Sequence, residues 1–425
     1  MDIFGKMLLV AMPVFLALIL VEFLAGWFMR HEKPPAMDTI SSLCSGMTNI
    51  LKSTLGLTVV FISYPWFFEH TALFTWAEGS FWPYLITFVF MDFTGYWIHR
   101  LQHRVNFFWN HHVIHHSSEE FNLPCALRQS ISVFTNIYTL LLLPMAIIGI
   151  PHKALLLVGP IHLFAQFWYH TRYINKLGFL EHLLVTPSHH RVHHAMNDIY
   201  MDKNYSQIFI IWDKLFGTFQ PELPEEPCVY GIRRPAHTWN PYLINFQHLW
   251  VLMKDAWQTT SWTDKLRIWF MPTGWRPADV AKAHPIPYIK KMDELQKFNP
   301  PYSTLFQVWG SVYLSVLFLL ICFLFYRLGE IDRTAELAYG VFLLVALFAL
   351  SSFMDKKTYG LAAILLTAIA ACVFFLQSAD WFGLKNFWNT GPLAIAAFFA
   401  ISGVCALYLY KTDFDEQQPA LHTGL

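Results

Sequence analysis

Between His99 and His116 the chain reads HRLQHRVNFFWNHHVIHH, and between His189 and His194 it reads HHRVHH. A neutral imidazole is the side chain that ligates a transition metal most readily near pH 7. Spacing adds to composition. His99 and His103 stand four apart, so on a helix they share a face with roughly 6 Å of rise between them. His112, His115 and His116 repeat this at i, i+3, i+4, as do His190, His193 and His194. One HxxxH pair arises by chance, whereas three such boxes in a single stretch of chain point to a metal site. Eight convergent imidazoles exceed the roughly four to six ligands of one zinc or iron ion, so the pattern reads as two metals with positions left open.

Zinc in such a site would hydrolyse a lipid ester through bound water. Two redox metals with open positions would instead suit activation of dioxygen for attack on a C–H bond. That reaction takes two extra electrons, and the chain has neither a GxGxxG turn after a strand nor a haem module. The electron donor is therefore expected to be a separate protein or a small reductant. A membrane metal transporter would hold its ligands near the bilayer midplane in broken helices, whereas these boxes fall at helix ends.

The elements that must position the histidines belong to a membrane protein. Of 425 residues, 55% are apolar and 14% charged, and the mean hydropathy is +0.37. The net charge is zero, with no basic run to suggest nucleic acid. Apolar runs long enough to cross about 30 Å of hydrocarbon lie near 7–29, 53–69, 81–98, 130–150, 152–170, 303–326, 336–353, 359–377 and 392–410. These predict an all-α integral membrane protein with about nine transmembrane helices and a cytoplasmic histidine-rich di-metal cap. The first run is too long for a signal peptide and reads as an anchor. Arg30, Lys33 and Lys52 place the first loop inside, so His99 emerges on the cytoplasmic face. Runs 130–150 and 152–170 meet at Gly149–Pro151 and form a hairpin that returns the chain to that face. Residues 171–299, with fifteen Lys or Arg against twelve Asp or Glu, form most of the cap. The resulting division is 1–80 for N-terminal membrane helices, 81–299 for the catalytic domain and 300–425 for a C-terminal four-helix membrane region.

Within that frame His170, at the end of the hairpin, is a ninth candidate ligand, and His162 is a packing residue two turns deeper. Asp92 lies seven residues before His99 and on its face, which suggests a carboxylate orienting that imidazole. His111 and His189 share faces with His115 and His193 as ligands or supports. Thr186 and Pro187 form a helix start before the third box. Ser117, Ser118, Glu119, Glu120 and Asn122 read as solvated loop residues. His31, His70, His152, His182, His237, His248, His284 and His422 read as structural. The six scattered cysteines, with no CxxC, indicate neither disulfides nor a zinc ribbon.

The HxxxH, HxxHH, HxxHH series resembles the fatty acid hydroxylase superfamily, which includes sterol desaturases and is associated with a di-iron centre. Over about residues 80–260 the motifs HHSSEEFNLPCALRQS (115–130), FWYHT (167–171), TPSHHRVHH (186–194) and DKNYSQIFIIWDKLFGTF (202–219) are most similar to the alkylglycerol monooxygenases. The resemblance implies two irons on His99, His103, His112, His115, His116, His190, His193 and His194, with His170 at the matching position. It implies hydroxylation of the ether carbon of an alkylglycerol, releasing fatty aldehyde, with a sterol or fatty acid hydroxylase or desaturase as the alternative. The partners implied are a membrane lipid, dioxygen and a reductant, either tetrahydropterin or an electron-donor protein. Animal members carry a glutamate where this chain has Arg104, a charge reversal that counts against the pterin. The expected location is the inner membrane of a bacterium or the endoplasmic reticulum of a eukaryote.

Overall fold

A helix in hydrocarbon must satisfy its backbone within itself or against protein, and the chain does the first at its ends and the second in its middle. The computed structural model describes residues 3–29, 34–61 and 63–414. The chain begins with α1 (Ile3–Phe28), α2 (Ala36–Thr54) and α3 (Tyr64–Thr71). The histidine boxes fall on α4 (Trp82–Arg104), α5 (Asn106–Trp109), α6 (Val113–His116) and, after α7 (Leu143–Ile147) and α8 (His152–Phe164), on α9 (Pro187–His194). Then come α10 (Ile211–Leu215), α11 (Pro241–Gln258), α12 (Trp262–Arg267) and α13 (Ala278–Ala283). The chain closes on α14 (Thr304–Arg327), α15 (Arg333–Met354), α16 (Thr358–Ser378) and α17 (Gly391–Leu409). Among the described residues there are isolated bridges but no sheet.

Among the described residues five helices are long and apolar enough to cross a bilayer: α1, from Leu9 onwards, and α14 to α17. The protein is a multi-pass membrane protein, but nine such helices are not found among the described residues: three of the predicted runs are broken, and a fourth is a helix with a charged end. Run 53–69 is broken where α2 ends at Thr54 and Gly56 adopts φ +65°. Run 81–98 is the start of α4, whose last turns carry His99, Arg100, His103 and Arg104. Run 130–150 splits into a 3-10 turn, Ile137–Leu142, and α7, and run 152–170 gives α8, with Pro160 inside it and its end at Phe164. Mean hydropathy sees the apolar content of these runs; it misses the Gly and Pro that divide runs 53–69, 130–150 and 152–170 and the charged last turns of α4. The hairpin does turn where expected. Gly149 sits at φ +76°, and a Cβ there would come within 1.9 Å of the Phe74 carbonyl oxygen. Of the charges that set the predicted orientation, Arg30 and Lys33 lie outside the described residues, as do His31 and His422.

The sequence reading missed α2. Its apolar side, Met37, Ile40, Cys44, Met47 and Leu51, packs into one core with Phe306, Leu317, Leu343 and Phe353 of α14 and α15. Lipid tails are as apolar as leucine, so close packing drives such contacts; a Cβ on Gly340 would stand 2.5 Å from the Leu55 side chain. The polar side of α2 fastens irregular chain. Arg128 Nε donates to Ser42 Oγ at 3.0 Å, Asn49 to the Ser130 carbonyl at 2.6 Å and Lys52 to the Val133 carbonyl at 2.9 Å. Without such partners the backbone of 117–133 would be costly to bury. Lys52 therefore belongs to a helix and is not a loop charge.

Candidate metal centre

His99 and His103 point from the last two turns of α4. A turn at 110–112 and the single turn of α6 present His112, His115 and His116. Thr186 is extended and Pro187 opens α9, as the sequence predicts, although the Thr186 hydroxyl donates to Glu181 instead of capping the helix. All eight residues of α9 are buried. His170 follows α8 and returns to the same place.

These histidines form two groups. His99, His103, His112, His116 and His193 make one, and His115, His170, His190 and His194 the other, with the nitrogens of each group within 4.8 Å of one another. In the first group Nε2 of His99 is 2.9 Å from Nε2 of His112, and that of His103 is 3.1 Å from that of His116. In the second, Nε2 of His190 lies 2.8 Å from His170 and 3.0 Å from His194, which is 3.1 Å from His115.

The far nitrogens decide what those short distances mean. Nδ1 of His99 donates to the Tyr205 carbonyl at 2.7 Å and Nδ1 of His193 to the Lys203 carbonyl at 3.0 Å. Nδ1 of His115 and of His170 face the carbonyls of Arg128 and Phe167, each at 3.3 Å. A carbonyl only accepts, so the proton sits on Nδ1 and each Nε2 turns a lone pair inward. Burial keeps the rings neutral, pushing His115 down to about 3 and His112, His116, His190, His193 and His194 well below their usual 6.5. Neutral lone pairs crowded at about 3 Å repel unless a cation lies between them. Ligands about 2.1 Å from one ion stand roughly 3 Å apart at adjacent octahedral positions. Nε2 of His193 is buried and has no hydrogen-bond partner, an orphan that a cation would satisfy. The residues therefore fit one transition metal per group.

Three other candidates lie elsewhere. Asp92 does not reach His99; it accepts from the amides of Ile208 and Phe209 at 2.8 and 3.0 Å, from Trp212 Nε1 at 2.8 Å and from His162 Nε2 at 3.2 Å. It thus anchors the segment after Tyr205. His111 turns to the Tyr138 hydroxyl at 2.9 Å, and His189 faces Glu181 at 3.9 Å with its ring against Phe219. Adjacent residues on one turn point in different directions, which sends His111 and His189 away from the groups their neighbours enter. The loop after the second box is not solvated either. Ser118 donates to Asp38 at 3.0 Å, Glu119 accepts from the Phe298 amide at 2.6 Å, and Glu120 pairs with Lys297 and Arg172. The N-terminal end of α2 covers this stretch. Arg128 is buried there and pairs with Asp38 at 2.6 Å.

Sequence reasoning also missed Asp213, which accepts from the amides of Tyr205 and Ser206, both at 2.8 Å, and from Thr218 Oγ1 at 2.6 Å. It holds the carbonyl that orients His99. An acid interrupting the apolar run IFIIW was the available signal.

A cavity of about 610 Å³ opens on the first group, with His103, His116 and His193 in its wall. Only His194 of the second group reaches it; Phe121 and Tyr169 lie against His170 and His190. Four arginines line the cavity. Arg104 pairs with Asp202 at 2.8 Å, Arg276 with Asp255 at 2.6 Å and Arg233 with Asp198, whereas Arg234 makes no ion pair among the described residues. Asp202 also stands 3.8 Å from Nδ1 of His103. His248 lines the same wall and bonds the Asn106 carbonyl at 3.0 Å.

Comparison with known proteins agrees with this geometry. Residues 84–218 match the fatty acid hydroxylase family. The chain is 32% identical to the alkylglycerol monooxygenase of Homo sapiens, over 94% of this chain and 87% of that one. The corresponding protein of Xenopus tropicalis is 33% identical over 86% and 81%, and that of Danio rerio 35% over 63% and 59%. No solved structure matches.

Proposed function

The chain belongs to the alkylglycerol monooxygenase family, and from that premise we propose that it is a di-iron membrane monooxygenase acting on the ether carbon of an alkylglycerol. The observation that carries the reading is the pair of histidine groups with inward lone pairs beside a cavity large enough for a lipid tail. Iron bound there would supply the reduction of dioxygen and the insertion of one oxygen atom into a C–H bond. Overall, substrate C–H, dioxygen, two electrons and two protons give the alcohol and water. The hydroxylated ether carbon is a hemiacetal, which falls apart to fatty aldehyde and glycerol.

The protein's own groups do the rest. His99, His103, His112, His116 and His193, beside the cavity, would hold one metal, and His115, His170, His190 and His194 would hold the other. The carbonyls of Tyr205, Lys203, Arg128 and Phe167 fix the tautomers, so binding needs no ring to reorient. Phe121 and Tyr169 keep water from the inner group. The catalytic unit is assigned to 81–299, between membrane helices in 1–80 and 300–425, with its site on the cytoplasmic side. The membrane is the inner membrane in a bacterium and the endoplasmic reticulum in a eukaryote. The electrons come from tetrahydropterin or a donor protein. Arg104, which the resemblance sets against a pterin, is paired with Asp202 in the cavity wall.

Metal content of the detergent-purified chain tests this reading. About two irons per chain, lost together with aldehyde release in His112→Ala/His193→Ala, is the expected result. Stoichiometric zinc without iron after iron-replete expression would overturn it, and a lipid panel read by mass spectrometry separates the ether lipid from a sterol or fatty acid.

A further inference from the structure

Helix α11 has two apolar stripes on different sides. Ile244, His248, Val251 and Leu252 follow one another at helical spacing and wall the 610 Å³ cavity. Trp250, Met253, Lys254 and Trp257 follow at i, i+3, i+4 and i+7 on a side that nothing covers. After a turn capped by Ser261, α12 and its extension continue this uncovered surface. Trp257 is 85% exposed, Trp262 77%, Leu266 71% and Phe270 74%. Side chains of this size gathered on one surface mark an interaction site.

We propose that α11 and α12 lie in the lipid–water interface of the membrane that the chain spans, and that lipid enters the cavity past this element. The position of α11 carries the first half. The Trp239 amide donates to Asp355 at 2.6 Å and Asn240 to Ser352 Oγ at 2.8 Å, at the end of α15, so the helix starts against the end of a membrane-crossing helix and not on a separate soluble lobe. The chain just after α12 is pinned as well. The amides of Asn106 and Phe107, just beyond α4, donate to the carbonyls of Met271 and Trp269 at 3.0 Å each. Composition carries the choice of occupant. Lys254 stands 5.8 Å from the Trp250 ring and Lys265 5.6 Å from Trp262, and the Arg267 side chain of α12 is half exposed. Tryptophan with lysine and arginine is the pairing that headgroup phosphates and the upper acyl chain select. A protein partner binding from water would not require the cations to sit over the same rings.

The second half rests on the lipid monooxygenase reading. One helix, roughly 10 Å across, separates the exposed stripe from the cavity beside the histidines. A lipid whose tail already surrounds Trp257 has only that helix to pass.

The experiment uses the full chain in phosphatidylcholine nanodiscs, with or without bromine on the upper acyl carbons. The tryptophan emission that disappears in Trp257→Phe/Trp262→Phe is compared in both. At least twofold quenching by brominated lipid, with little by aqueous iodide, is expected. Quenching by iodide alone places the surface in water and overturns the proposal, as does quenching by neither with a doubled particle mass, which assigns the surface to a second copy. For lipid entry, Trp257→Asp/Trp262→Asp/Phe270→Asp should raise KM for a bilayer-borne alkylglycerol at least tenfold while leaving turnover of a short, water-dissolved ether within twofold. Wild-type kinetics on both substrates would overturn the entry route. A wild-type chain inactive on every ether lipid would defeat the monooxygenase reading and leave the quenching result standing.

Discussion

The histidine-rich half and the C-terminal bundle reach order by opposite means. In α14 to α17 the backbone between the end turns is satisfied inside its own helix, and the buried side chains are overwhelmingly apolar. Around the histidines the helices after α4 are four, four and eight residues long, too short to be stable alone. They are held by buried carboxylates, carbonyls and amides far apart in sequence. A bundle of this kind can lose any one contact with little change. The histidine-rich half depends on single groups that each serve several partners.

The sharpest way to break this contrast is Asp213→Ala. Removing one carboxylate leaves two amides unpartnered, leaves the Thr218 hydroxyl with Tyr96 alone, and frees the Tyr205 carbonyl that orients His99. Iron affinity should fall about 10- to 100-fold, read by equilibrium dialysis, and Asp213→Asn should recover part of it. Unchanged affinity would mean that the loop holds its shape without the acid. Next is Arg128→Met, which strands the buried Asp38. Breaking such a pair costs about 3–5 kcal/mol, so the unfolding temperature of the histidine-rich half should drop by several degrees. An unshifted transition would show that Asp38 finds another partner.

Acid should separate the two halves. His115, pushed down to about 3, His248, pushed down to about 4, and the well-depressed His190, His193 and His194 all have folded values below 6.5. The unfolded chain therefore takes up more protons as pH falls from 6.5 towards about 3, and stability falls with it. Residues 304–414 contain no histidine. Limited proteolysis at pH 4 should cut within 171–299 and spare the bundle, and simultaneous cutting of both would contradict the contrast. The smallest effect is expected from Gly340→Val. Its Cβ would press on Leu55, costing about 1–3 kcal/mol by overpacking, with iron content as in the wild type. Loss of iron in that variant would show the halves to be coupled more tightly than their bonding suggests.

What was legible in the sequence follows the same divide. Helical spacing named the three boxes, and long apolar runs named the first and last four crossings, because both signals are local. His170 was found by topology, since its returning segment had to end near the other boxes. Helix α2 was missed because serines and lysine on one side made its pattern read as loop, although that side faces protein. Asp92 was placed on the right face and given the wrong partner: spacing tells which residues share a face and not what approaches it. The carbonyls of Tyr205 and Lys203 could not be foreseen, because every residue has one.

Helix α2 has a consequence for how the chain is made. Most of its polar side meets partners 80 to 90 residues away, but Ser41 waits for Trp239, 198 residues later, and Leu55, at its end, for Arg333, 278 residues later. At roughly 5–20 residues per second the ribosome delivers that partner some tens of seconds after α2 has emerged. For that interval α2 is a half-finished seam, closed towards the histidines and open towards helices not yet synthesised. A chain stopped after residue 300 should therefore be held by chaperones or degraded, and a stable, iron-loaded fragment would show that the seam can close without them.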